Sequence, residues 1–303
     1  MDWTLLFLAS ALFLAFYDIA KKASVNGNAV LPTLLCSTAF GSAAFVAGVL
    51  LFSDISEVVS YDPKILGISA IKALIVSTSW IFTFCALRSL PISIATPIRA
   101  SAPALVFVLA FFLYGERPSL VQFGGMLLVF GGYFAFSWAG SHEGIDFFRS
   151  RAVWYAFAGA FLSALSSIWD KCVFQVFSAP VESVQLWFQI FLFAVYAIVL
   201  LAMKAFKANS HPFEWRWTMP FVGILLAAAD WLYFKGLSYP DVPVSVASLL
   251  RRVSVVATFV LGARFFREKN IWRKALALAV ILSGVAILCL ARNVNCKSSE
   301  SIF

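Results

Sequence analysis

Pro91-Ile-Ser-Ile-Ala-Thr-Pro-Ile-Arg99 and Pro243-Val-Ser-Val-Ala-Ser-Leu-Leu-Arg251 are one phrase written twice, 152 positions apart (243 − 91). The same offset carries Asp18 onto Asp170, Glu116 onto Glu268 and Gly132 onto Gly284. Both copies lie in apolar stretches long enough to cross a bilayer. The chain therefore reads as two homologous membrane halves, each keeping an Asp, an Arg and a Glu in register. Charge is expensive in hydrocarbon, and its retention in duplicated halves is the pattern of secondary transporters.

Composition supports lipid as the main solvent. Of 303 residues, 62% are hydrophobic and 13% charged, against about 45–50% and about 25% in soluble domains. The 32 Phe and 10 Trp suit lipid-facing surfaces and interfacial belts. A net charge of +8 does not point to nucleic acid, because Lys and Arg sit in short loops and form no basic face. Cys36, Cys85, Cys172, Cys289 and Cys296 lack paired spacing and read as small apolar fillers, neither metal ligands nor a disulfide framework. The apolar run from Trp3 has no preceding basic residue and reads as a first spanning helix, not a signal peptide.

The hydropathy pattern predicts an all-α integral membrane protein with spanning helices over 3–22, 30–52, 67–89, 92–114, 119–139, 152–176, 183–203, 217–236, 243–265 and 272–291. Residues 1–139 form the first repeat, 140–151 a linker, 152–292 the second repeat and 293–303 a polar tail. Five helices per repeat make the second insert upside down relative to the first, an inverted repeat. Both termini then share a side, and the Lys and Arg bias places that side outside the cytoplasmic membrane. Ala44 with Gly48, Gly124 with Gly131, and Gly125 with Gly132 have the spacing of helix-packing positions.

Ionisable residues inside these runs are the candidate site. Arg99 and Arg251 each lie eight residues past a Pro, about 12 Å into their helices. Asp18 and Asp170 lie at matching depths, so depth permits the pairs Asp18–Arg99 and Asp170–Arg251. Such pairs either lock helices together or leave charge for a ligand or a coupling ion. Arg252 has no mate in the first half, where Ala100 stands, and suits a carboxylate or phosphate on a substrate. The alternatives are snorkelling or pairing with Asp230. Asp230, in Ala-Ala-Ala-Asp-Trp-Leu-Tyr, is a candidate carrier of a coupling proton. Trp80, Trp231 and Tyr233 are either ordinary core or lipid-facing aromatics or cavity walls for a flat substrate. Lys72 is expected to snorkel, and Glu116 and Glu268 to cap the fifth and tenth helices.

Each repeat closes with a recognisable ending. In the first it is Leu113-Tyr-Gly-Glu116-Arg-Pro-Ser-Leu-Val-Gln-Phe-Gly124, running on to Gly131-Gly132; in the second, Phe266-Arg-Glu268-Lys-Asn-Ile-Trp-Arg273, running on to Ser283-Gly284. With the length and the duplication, the chain resembles an EamA-type member of the drug/metabolite transporter superfamily from Trp3 to about Arg292. The second copy departs from the family pattern at Arg267, where a Gly is usual before the Glu. The resemblance implies export or exchange of amino acids, nucleobase-like metabolites, sugars or drugs through a central cavity. The expected partners are a small-molecule substrate, anionic or amino-acid-like, and the lipid bilayer, with the chain acting as a monomer and needing no cofactor, metal or nucleic acid. A polytopic enzyme or scaffold acting on lipid-linked substrates is the other class considered. His142 and His211 both lie in loops, and no HExxH or Gly-rich phosphate loop occurs.

Overall fold

A computed structural model describes residues 3–25, 27–52, 58–89, 102–115, 119–138, 150–205, 212–240, 242–251, 253–254, 275–284 and 286–287. They form α1 (Trp3–Val25), α2 (Val30–Phe52), α3 (Pro63–Ser89), α4 (Ala102–Tyr114), α5 (Leu120–Trp138), α6 (Arg151–Lys171), α7 (Val181–Ala205), α8 (Thr218–Leu237) and α9 (Val244–Arg251). A short apolar helix, Ala275–Gly284, is α10. No strand occurs among the described residues. Six helices there, α1 to α3 and α6 to α8, are long and apolar enough to cross a membrane.

Hydrocarbon offers no water to backbone groups, so each spanning segment satisfies its own hydrogen bonds as a helix. Side-chain hydroxyls obey the same constraint. Thr33 donates to the Ala29 carbonyl at 2.7 Å, Thr38 to Leu34 at 2.9 Å and Thr78 to Leu74 at 2.7 Å, each one turn back. Large apolar side chains point outward: Leu51, Phe112 and Leu120 are 76%, 77% and 89% exposed, which lipid explains and water would not.

Helix ends carry local signals. At α3, the Asp62 carboxylate accepts the Lys64 N–H at 2.9 Å, and Pro63 takes the first helical position. A capping box opens α5: the Gln122 N–H donates to Ser119 Oγ at 3.2 Å, and the Ser119 N–H donates to Gln122 Oε1 at 3.0 Å. The caps expected from Glu116 and Glu268 lie outside the described residues. Past Lys171 the helix widens into a π-turn, Cys172–Val176, in which the Phe177 N–H reaches back to the Cys172 carbonyl at 2.9 Å. Ser178, at φ +49°, then turns the chain out of the helix.

The chain gathers into two compact units, each drawing on both halves of the sequence. One holds Met1–Ile81 with Trp169–Pro240. In it α8 packs against α1 and α2, and α2 against α7. Ser10 donates to the Ala229 carbonyl at 2.7 Å, and Asn28 exchanges two hydrogen bonds with the Glu214 backbone, at 2.7 and 2.9 Å. These bonds hold α1 to the middle of α8 and the exit of α1 to the segment that leads into α8.

The other unit holds Phe82–Ile168 with Asp241–Phe303. Here α9 packs on α4 and α5. A side chain on Gly132 would lie 2.9 Å from the Ala277 carbonyl and from Ile281, and one on Gly284 would lie 2.7 Å from the Gly125 carbonyl and from Val129. The offset of 152 maps Ala277 onto Gly125 and Ile281 onto Val129, so the contact maps onto itself. Higher numbers on α5 meet lower numbers on α10, so the two repeat-related helices run antiparallel. By contrast Gly48, Gly124 and Gly131 face open space, which removes them from the packing positions expected from spacing alone. Gly132→Val and Gly284→Val should each cost about 1–3 kcal/mol by overpacking. Near-equal shifts in detergent thermal unfolding are expected, and a marked inequality would contradict the two-fold crossing.

Candidate functional site

Within the first unit, α1, α2, α3, α7 and α8 surround a narrow cavity of about 20 Å³, room for roughly one water. Its polar wall residues are Tyr17, Ser37, Thr38, Gln189 and Asp230, with Trp80 and Phe188 as aromatic walls. Asp230 is 9% exposed and follows three alanines on α8, whose small side chains leave space beside it. Ser37 is buried, and its hydroxyl has no hydrogen-bond partner among the described residues. That hydroxyl is ready to bond an occupant, since a buried polar group without a partner is costly. Trp80 stacks on Tyr196 with centroids 6.4 Å apart and planes 20° apart, which fixes its ring against the cavity.

Behind Phe188 lies an ion pair. Lys72, roughly 13 Å along α3 from Pro63, meets the Asp170 carboxylate, and the two side chains are 2% and 5% exposed. The ammonium also lies 4.8 Å from the Phe188 ring centroid and 4.3 Å from that of Phe234. Lys72 therefore does not snorkel. A carboxylate and two ring faces stabilise its charge where it stands, so the stem has no need to reach water. One turn away, the Trp169 indole N–H donates to the Ile68 carbonyl at 3.1 Å, a second tie between α3 and α6. The π-turn begins two residues after Asp170.

The family model for the EamA-like transporter family matches residues 1–138 and again 150–290. The chain belongs to the EamA-like transporter family. EamA proteins are membrane transporters of the drug/metabolite superfamily, so this is a multi-pass membrane protein of that kind. A solved structure described only as "Crystal structure of protein" is similar over 96% of this chain and 98% of its own, at 22% identity and a TM-score of 0.75, which shows a shared fold. No curated protein matches.

The EamA chain places its sequence-predicted residues unevenly. Asp230 and Trp80 meet at the cavity. Asp18 is half-buried on α1, beside the cavity residue Tyr17. Asp170 pairs with Lys72, a partner that symmetry reasoning did not name. Tyr233 packs against Phe7 of α1 with centroids 5.6 Å apart, and Trp231 lies 5.9 Å from the Lys235 ammonium; neither lines this cavity. Arg251 is half-buried at the end of α9, while Arg99 and Arg252 lie outside the described residues. Sequence reasoning missed Gln189, and it named Lys72 without its pairing to Asp170. Gln185 and Gln189 stand one turn apart and buried on α7, a spacing that marks an inward polar stripe.

Proposed function

We propose that this EamA protein is a secondary transporter that moves small metabolites across the cytoplasmic membrane by alternating access, as exporter or exchanger. Ten spanning helices form two inverted five-helix repeats, 1–139 and 152–292, joined by the 140–151 linker and followed by the 293–303 tail. The antiparallel crossing of Gly132 and Gly284 supports the inversion, because repeats inserted the same way up would set those helices parallel. The observation that carries the transport reading is the cavity itself. It is walled by helices of both repeats, at membrane depth, and holds a carboxylate, an unpartnered hydroxyl and an aromatic face. Arg99, Arg251 and Arg252 are the proposed cations for an anionic or amino-acid-like group. The chain works as a monomer in the bilayer. Roughly thirteen Lys and Arg on one side against about six on the other put both termini outside.

Purified protein in proteoliposomes should show saturable uptake that a substrate on the far side accelerates, for at least one member of a metabolite panel. A panel with no such acceleration overturns the reading. Asp230 is the proposed proton carrier. A one-proton coupling concentrates substrate about tenfold per unit of pH gradient, since each unit is worth about 1.4 kcal/mol. Asp230→Asn should lose that accumulation and keep exchange. Unchanged accumulation with unchanged pH dependence would make Asp230 structural.

A further inference from the structure

The end of α8 is held by residues from the turn between α6 and α7, all of them within the first unit. A helix end leaves carbonyls without intrahelical partners. Gln175, in the π-turn, donates its side-chain amide to the Leu237 carbonyl at 3.2 Å and to the Tyr239 carbonyl just beyond at 3.3 Å. Glu182, in the first turn of α7, meets the Lys235 ammonium at 2.6 Å, and the two side chains are 29% and 37% exposed. The offset of 152 carries Gln175, Glu182 and Lys235 onto Ala23, Val30 and Thr83, so duplication did not supply this set in the first repeat.

Beneath these ties α7 is buried but poorly bonded. Ser183 and Gln185 follow Glu182 toward the cavity residue Phe188, and both are fully buried. The Ser183 hydroxyl and Gln185 Oε1 have no hydrogen-bond partner among the described residues. The Gln185 amide reaches the Ala227 carbonyl of α8 only at 3.4 Å. Buried polar atoms without partners are unfavourable, and water entering along α7 would satisfy them. Parting α7 from α8 therefore regains hydration, and the ties near the surface decide how often it happens. We infer that Gln175, Glu182 and Lys235 form a latch that shuts one end of the cavity, the end where α7 begins and α8 finishes. The inference rests on the transport reading and assigns a gate of its cycle. The first repeat lacks such a set, so the two ends of the inverted cycle are unequal, and the latch favours the state closed at this end. Ties this exposed are weak, so each shifts that equilibrium a few-fold and none locks it.

The test reads access to the cavity with a thiol probe and needs no substrate. Leu192 is buried on α7 and lines the cavity. Leu192→Cys is placed in the full chain, and its reaction with a membrane-impermeant maleimide is followed by peptide mass spectrometry, which resolves it from the native cysteines. Phe7, near the start of α1, stands against Gly236, so an N-terminal tag marks the latch end and sorts liposomes by orientation. From the latch end, Gln175→Ala or Glu182→Gln should each react about threefold faster than the Leu192→Cys parent, and the two together about tenfold faster. From the opposite end the rate should stay level or fall. Glu182→Lys with Lys235→Glu rebuilds the ion pair and should return the parental rate. Unchanged rates in the Gln175 and Glu182 variants overturn the latch. An equal rise from both ends means general loosening and overturns it too. Faster reaction accompanied by a fall in Tm of several degrees makes the ties scaffold and has the same consequence. Should the charge-swapped protein not fold, Lys235→Gln should match the threefold rise of Glu182→Gln; an unchanged rate counts against the latch. Labelling that follows the latch, in a protein that shows accelerated uptake for no compound of the panel, would instead refute the transport reading and leave the latch standing.

Discussion

Lys72→Met alone is expected to destabilise the protein by about 3–5 kcal/mol, the usual cost of removing one partner of a buried ion pair. The Asp170 side chain is 5% exposed and would lose the ammonium that now stands against it. The contact of the ammonium with Phe188 and Phe234 is lost as well, an interaction of about 2 kcal/mol where desolvated. The loss should appear as a fall in Tm of at least about 6 °C, at 2–4 °C per kcal/mol. Arg216 and Glu214 provide the contrast. They also form an ion pair, at 3.2 Å, but their side chains are 30% and 67% exposed. Exposed pairs contribute about 0–1 kcal/mol, so Glu214→Gln should move Tm little. Adding Asp170→Leu to Lys72→Met should restore most of the lost stability, because neither half of the buried pair then remains. A single variant as stable as the parent would mean that Asp170 is compensated by another route and that the pair is not what holds α3 to α6.

How far the sequence could be read follows from what each feature depends on. Helix positions depend on hydropathy and bilayer thickness, both local properties. The stretch expected at 30–52 is α2, Val30–Phe52, and the stretch expected at 183–203 falls inside α7, Val181–Ala205. The π-turn after α6 is not legible, because Cys172–Val176 is as apolar and helix-compatible as its neighbours. Side-chain partners were harder. Depth along a helix is countable from its start, but the direction a residue faces around the bundle is not. Repeat symmetry names Arg251 for Asp170, whereas Lys72, whose repeat mate is Ile224, carries no such signal and reads as a snorkelling residue. Asp230 and Trp80 were legible because an acid after three alanines and a deep tryptophan stand out against a leucine-rich background. The Ser119–Gln122 cap has a sequence signal of its own, the Ser-x-x-Gln spacing.

Gly223→Val is expected to have an effect of similar size for the opposite physical reason, too much matter where there was too little charge. A side chain on Gly223 would fall on the Ser37 carbonyl and lie 2.6 Å from the Gly41 backbone nitrogen; one on Gly41 would lie 2.8 Å from the Gly223 carbonyl. Helices α2 and α8 therefore touch backbone to backbone beside the cavity, and both glycines line it. In lipid no hydrophobic force between helices compensates for lost contact, so close approach is itself the source of association. Gly223→Ala should cost about 3 kcal/mol, the upper end for overpacking, and Gly223→Val more, because its branched side chain needs still more room. Gly41→Ala should cost less than Gly223→Ala, since its clash is milder. Gly48→Ala on the same α2 is the control. Nothing lies within 4 Å of its would-be side chain, so it should gain up to about 1 kcal/mol from helix propensity. Separating α2 from α8 also moves Ser37 away from Asp230, so the Gly223 variants should lose transport more steeply than stability. A Gly223→Val protein with parental Tm and parental uptake would mean that α2 and α8 do not meet at these glycines, and the cavity between them would have to be drawn elsewhere.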